Sequence, residues 1–320
     1  MFRHPPRKCD KYVLQNLAYS STYTCVYEAF IKGDRQKVIL KFIYINSETS
    51  KLAENEYQIQ CSIHHPFIMS AIHSQIKISN DEYCILQMPP GICSLASIHC
   101  IDKVKKIKNI HTIYKIMYQM LLGISFLHDL RILHGDIKPE NFVLMKEDEI
   151  NPEIRIIDFG HSVRFKEEDM TKCLISMTSG TTIYNPPEIL IGQPHSFPAD
   201  IWSLGASFYF LITGEWVLQL NNKPAMYNES KSIFLKYDKK FGPQFPKSGK
   251  DLIMSMLNFN PEKRPTAITC LNNPFFTEFL DPEWIDVQHM IISQQLNDNA
   301  LIQEPIDKIK IPGENGPTIS

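Results

Sequence analysis

Short apolar runs dominate the first part of the chain, and long helical periodicity takes over after about residue 85. Val38-Ile39-Leu40-Lys41-Phe42-Ile43 is a dense apolar run bounded by Lys32-Gly33-Asp34, which reads as a strand entered from a turn. Ser50 to Ile63 has helical character, with Ser50 as its candidate cap and Glu54 near it. Between Ile76 and Met88 two short apolar runs flank Ser79-Asn80-Asp81, a hairpin signal. Further on, Ile113, Ile116, Met117, Met120, Ile124 and Leu127 recur at helical spacing and predict a helix with one buried face. The most hydrophobic stretch, Leu204 to Leu220, is interrupted by Thr213 and Glu215 and is too short to cross a bilayer, so it reads as a buried helix. A small strand-rich lobe followed by a larger helical one predicts an α+β fold with a cleft between its lobes. Pro89-Pro90-Gly91 is the expected hinge, because proline stiffens the connection and glycine lets it turn.

Composition narrows the partners. The chain has 320 residues, 43% hydrophobic and 21% charged, with a formal net charge of -2, ordinary values for a globular protein. That charge supplies no broad electrostatic pull towards nucleic acid or an acidic membrane surface, and neither is expected as a partner. The eight cysteines are scattered with no CxxC pair, which argues against a zinc site and for reduced thiols. Met-Phe-Arg-His-Pro-Pro lacks an apolar targeting core, and Phe2 leaves no glycine to myristoylate, so cytoplasm or nucleus is expected. Residues 278–320 hold eight acidic and two basic side chains. This acidic tail is expected to be partly disordered, with Trp284, Val287 and Ile291 on a short docking helix. It does not look like a calmodulin target, which would be basic and amphipathic.

Chemistry concentrates in His134-Gly135-Asp136-Ile137-Lys138-Pro139-Glu140-Asn141, followed by Asp158-Phe159-Gly160. Phosphoryl transfer needs in-line positioning, cations on the phosphate oxygens and an acceptor for the hydroxyl proton. Two carboxylates and an amide at this interval can meet those needs, since magnesium takes hard oxygen ligands and retains several waters.

On these strings the chain resembles the eukaryotic protein kinase family over residues 10 to 277, with a small lobe at 10–88 and a large lobe at 89–277. The lysine two residues after Asp136 resembles the serine/threonine branch, with the calcium/calmodulin-dependent group as one affinity. The resemblance implies ATP and magnesium as cofactors and serine or threonine in protein substrates, acted on by a chain expected to be monomeric. It implies Asp136 as base, Asn141 and Asp158 as metal ligands, and Lys138 near the transferred phosphate. Lys41, ending Val-Ile-Leu-Lys, matches the lysine on the ATP phosphates, with Glu56 its expected partner and Glu54 a near competitor. Val26, Ile39, Gln87, Met88 and Val143 match positions around the adenine. Thr181 and Glu140 match positions that meet the substrate, and Glu140 suits a basic residue upstream of the target. Gly180 to Glu188, Asp200 to Gly205 and Arg264 resemble the structural motifs of the large lobe.

Several positions depart from the pattern. Tyr19, Ser21 and Thr24 stand where the phosphate loop usually has glycines, and should stiffen it. Gly135 replaces the arginine that would receive an activation-loop phosphate, although Thr171, Ser176, Thr178 and Ser179 are available. Gln60 stands where an apolar residue is common. A second reading therefore stays open at this stage: a scaffold that keeps the fold and transfers little phosphate.

Overall fold

The computed structural model describes residues 9, 11–78, 81–99, 109–165, 182–219, 222–231 and 240–300. Its first part is a five-stranded antiparallel sheet of order β1-β2-β3-β5-β4. The strands are β1 (Tyr12–Ser20), β2 (Thr24–Ile31), β3 (Lys37–Tyr44), β4 (Ile72–Ile78) and β5 (Asp81–Met88). The run at Val38 is β3, entered through a turn at Lys32-Gly33-Asp34 as the sequence predicts. β4 begins at Ile72, before the apolar positions that announced it, because Ile72 lies exposed opposite Gln87 on the sheet edge.

Helix α1 (Ser50–Ser62) crosses this sheet. Its cap position is Thr49 and not Ser50: the Thr49 hydroxyl donates to the Tyr44 carbonyl and accepts from the N–H of Asn46 at 3.0 Å. That network closes the connection from β3 and sets where the helix begins. Ile43, Ala53, Cys84 and Leu86 pack between the helix and the strands.

The larger lobe is built around α2 (Ile110–Asp129) and α4 (Phe197–Thr213). α2 is buried nearly all round, not on one face. Even Gln119 is only 2% exposed, and its amide reaches the Pro152 carbonyl at 2.8 Å. The interior helix can carry that polar group because each polar atom finds a partner. α4 starts well before Leu204 and ends at Gly214. Val217 and Leu218 are buried without helix, so one apolar run spans a helix end and the following loop.

The helix Pro282–Ala300 is longer than the docking segment expected in the tail, and it presents a different face. Trp284 is buried edge-on to Tyr118, and Gln288 accepts from Gln119 at 3.1 Å. Val287 and Ile291 are 46% and 41% exposed. No helix among the described residues is long and apolar enough to cross a membrane.

A buried ion pair ties the large lobe together. Arg264 donates to both carboxylate oxygens of Glu188, which lies in α3 (Pro187–Leu190), at 2.6 and 2.8 Å. The guanidinium also lies over the ring of Trp202, 5.0 Å from its centre. Both ionic side chains are nearly solvent-free, at 0% and 6% exposure. Removing one partner leaves a buried charge uncompensated, at about 3–5 kcal/mol. Glu188→Gln should therefore lower the melting temperature by several degrees, read by circular dichroism. An unchanged melting curve would show that the pair contributes nothing to folding.

Candidate active site

The upper wall of the cleft follows from strand parity. Alternate residues of a strand share a face, and so do directly opposed residues of paired strands. Lys41 is opposed by Val26 on β2 and Leu86 on β5, and Ile39 by Met88. Val26, Ile39, Lys41, Leu86 and Met88 therefore share one face, and Tyr19 joins them opposite Val26. Gln87 points the other way, where its side chain accepts the Tyr12 hydroxyl at 2.6 Å. Of the residues matched to the adenine site, Gln87 can contribute only its backbone.

Lys41 bridges the lobes. Its ammonium lies 2.5 Å from Glu56 Oε1 and 2.8 Å from Asp158 Oδ1. The competitor Glu54 is exposed and takes a hydrogen bond from Gln58 instead. Burial disfavours the Lys41 charge, but the two carboxylates outweigh it and hold the ammonium above its ordinary pKa. Burial pushes the Glu56 carboxyl up, against the pull of Lys41. Burial pushes Asp158 the same way, yet Lys41 prevails and its carboxyl is held well below the usual range. Two carboxylates facing one ammonium leave an excess negative charge at Asp158, which is 38% exposed towards the cleft.

The lower wall is a loop clamped from below. Asp200, buried in α4, accepts from the backbone N–H groups of His134 and Gly135 at 2.8 and 3.0 Å. Burial alone would raise the Asp200 carboxyl, but its contacts with His128, His134 and the Gly135 N–H hold it below its ordinary value. His134 is buried and held neutral, bridging from the Asp136 N–H to the Ile157 carbonyl. Gly135 has φ +78°, and a Cβ there would meet the His161 carbonyl oxygen at 2.6 Å. The residue that replaces the expected arginine is thus the one the local backbone admits.

On this loop Asp136 Oδ2 receives the Lys138 ammonium at 2.6 Å and the Asn141 amide at 3.0 Å. The Asn141 amide also reaches the Asp136 carbonyl at 2.8 Å, which turns its Oδ1 away as an oxygen donor. Asp158 sits at φ +68°, aimed back at Lys41. Phe159 behind it is fully buried, its ring 5.2 Å from that of His134. Asn141 and Asp158 offer a hard-oxygen set that suits magnesium. Among the described residues no cluster of three or more His, Cys, Asp or Glu forms a protein-only metal cage, and magnesium held by few protein ligands does not need one.

The turn matched to the phosphate loop is a plain hairpin. Tyr19, Ser21 and Thr24 all keep negative φ, since Arg131 and Asp158 are the non-glycine residues with positive φ. The Ser21 N–H bonds the Thr24 carbonyl at 2.8 Å, and the Thr24 N–H bonds Ser21 Oγ at 3.2 Å. The second bond spends the Thr24 amide on a side chain that a glycine at position 21 would not supply. The tip is pinned as well, with the Tyr23 hydroxyl on Glu48 at 2.8 Å.

Three further positions singled out in the sequence lie as follows. Gln60 is 1% exposed, with its amide on Met88 Sδ at 3.2 Å and its Oε1 without a partner. Glu140 is exposed and close enough to Tyr184 to act on its hydroxyl electrostatically. Thr181 lies outside the described residues, as do Gly180, Thr171, Ser176, Thr178 and Ser179. The clamp by Asp200 and the bond from Asn55 to the Ser162 carbonyl at 2.6 Å were not foreseen. Both join residues far apart in the chain, so spacing carries no trace of them.

Comparison with known proteins agrees with this geometry. Residues 20–276 match the family model described as protein kinase domain. The serine/threonine-protein kinase polo of Drosophila melanogaster is 27% identical over 280 residues, covering 88% of this chain and 46% of that protein. Serine/threonine-protein kinase Nek6 of Oryza sativa is 27% identical over 270 residues, 82% of this chain and 46% of that protein. An Aurora kinase of Debaryomyces hansenii is 32% identical over 240 residues, 75% and 54% respectively. The chain spans about half the length of these curated relatives.

The orphaned Gln60 oxygen carries a stability prediction. An unpaired buried acceptor costs about 1–3 kcal/mol, so Gln60→Leu should stabilise the fold and raise the melting temperature by a few degrees. A lower melting temperature would show that the amide is satisfied in solution.

Proposed function

The chain belongs to the protein kinase family, and on that premise we propose that its cleft binds ATP with magnesium and phosphorylates serine or threonine in other proteins. The observation that carries this reading is the convergence of Lys41, Glu56 and Asp158 from one side with Asp136, Lys138 and Asn141 from the other.

Val26 and Ile39 above and Val143 below would enclose the adenine, bordered by the backbone of Gln87 and by Met88. Tyr19, Ser21 and Thr24 would line the phosphates, through hydroxyls and the remaining amides. Lys41 would hold the phosphate chain, and Glu56 keeps that ammonium charged and aimed. Magnesium, when bound by Asn141 and Asp158, would neutralise phosphate oxygens. Asp136 has Oδ2 committed to Lys138 and Asn141, so Oδ1 is the atom left to take the proton of the substrate hydroxyl. Lys138, 2.6 Å from Asp136, adds positive charge where the transferred group arrives.

Glu140 and Thr181 are assigned to the protein substrate, with Glu140 suited to a basic side chain near the target. We place the protein in the cytoplasm or nucleus as a monomer. Eight scattered cysteines without close pairs suit a reducing compartment.

The test is transfer from labelled ATP to generic basic peptides, beside Asp136→Asn. Loss of a general base lowers kcat about 10²–10⁴-fold, while the Kd for magnesium-ATP, read by titration, should stay within a small factor. The label should appear on serine or threonine. Equal labelling by the variant would overturn the role of Asp136, and nucleotide-independent melting without labelling would leave a scaffold.

A further inference from the structure

Two neighbouring residues of α1 hold the two ends of one turn. Phe159-Gly160-His161-Ser162 closes on itself, with the Ser162 N–H on the Phe159 carbonyl at 3.0 Å. At its start the Phe159 N–H donates to the Glu56 carboxylate, and a Cβ at Gly160 would lie 3.5 Å from Glu56 Oε2. At its end Asn55 Nδ2 donates to the Ser162 carbonyl at 2.6 Å. The helix belongs to the small lobe and the turn to the large one, so Asn55 makes a second bond between lobes beside Lys41.

The far side of the turn is fixed to the large lobe. The buried Ser162 hydroxyl donates to the His134 carbonyl at 3.1 Å, and the His134 N–H is held by Asp200. Val163, the next residue, pairs with Leu133 in a two-stranded ribbon. The Ser162 carbonyl is therefore a fixed acceptor. A helix bonded to it is held in register with the loop that carries Asp136.

We propose that Asn55 is a positioning residue for phosphoryl transfer, fixing the rotation of α1 against the Ser162 carbonyl so that Glu56 stays aimed at Lys41. This rests on the proposed reading of the cleft. The attraction between charges falls off only slowly with distance, so an ion pair tolerates a helix that rolls. A hydrogen bond weakens steeply when it bends or stretches. Asn55 lies one residue from Glu56, about 100° round the helix, and gives the directional second point that the ion pair lacks.

The experiment compares Asn55→Ala with Asn55→Asp in the full chain; the second keeps the shape but sets a carboxylate against the carbonyl. Hydrogen exchange of the α1 amides should quicken about 3- to 10-fold in Asn55→Ala, the worth of one hydrogen bond, and further in Asn55→Asp, with α4 unchanged. The kcat for peptide phosphorylation should fall by a similar factor, with the KM for peptide unchanged. In a Glu56→Gln background Asn55→Ala should lower kcat by less than about twofold, because its effect runs through Glu56. A role in stability alone would cost the same factor in both backgrounds, and that result overturns the proposal. So does α1 exchange, or kcat, that neither variant changes. No transfer by the unaltered chain, with α1 exchange still responding to Asn55→Ala, overturns the kinase reading and leaves the hold on α1 standing.

Discussion

The ammonium of Lys41, caught between the carboxylates of Glu56 and Asp158, is the contact on which the cleft depends. It joins a strand, a helix and a loop. Burial makes each of these charges costly in isolation, and only their mutual attraction keeps the lysine charged. The set is one positive charge short of neutrality, and the shortfall falls at Asp158, the member open to the cleft. A divalent cation would find its electrostatic place already prepared.

The opposite wall obeys a different constraint, exact placement of backbone more than charge balance. Asp200 grips two successive amides, His134 closes the loop behind Asp136, and Gly135 adopts a conformation that leaves no room for a Cβ. In this backbone the His161 carbonyl stands where a side chain at position 135 would begin, so an arginine there would require the loop to shift. The loop is held by Asp200 and His134, with Gly135 in place of an arginine before Asp136.

Where the chain departs from its family, the departures share one consequence. In the turn between β1 and β2 the Thr24 amide is taken by the Ser21 side chain, and in the connection between lobes Pro89 and Pro90 have no amide. Both leave fewer backbone donors beside the cleft. On the proposed function, recognition would then lean on charge, through Lys41, Asn141 and Asp158, and on apolar contact with Val26, Ile39 and Val143. The catalytic groups themselves are untouched by this shift.

Legible in the sequence were the two-lobed α+β division, the strand at Lys41, the acidic and amide groups of the loop at 134–141, and Glu56 as the expected partner of Lys41. These were legible because each is carried by local spacing, whether of apolar positions or of short motifs. Tertiary structure alone decided that α2 is buried on every side, that Leu204 to Leu220 divides at Gly214, and that Trp284 and Gln288 face inward while Val287 and Ile291 do not. It also decided that Gln87 turns away from the cleft and that Asp200 clamps the loop. The physical reason is common to all of these: burial and hydrogen bonding between residues distant in the chain depend on which surfaces meet, and a linear pattern records only the periodicity of one surface at a time.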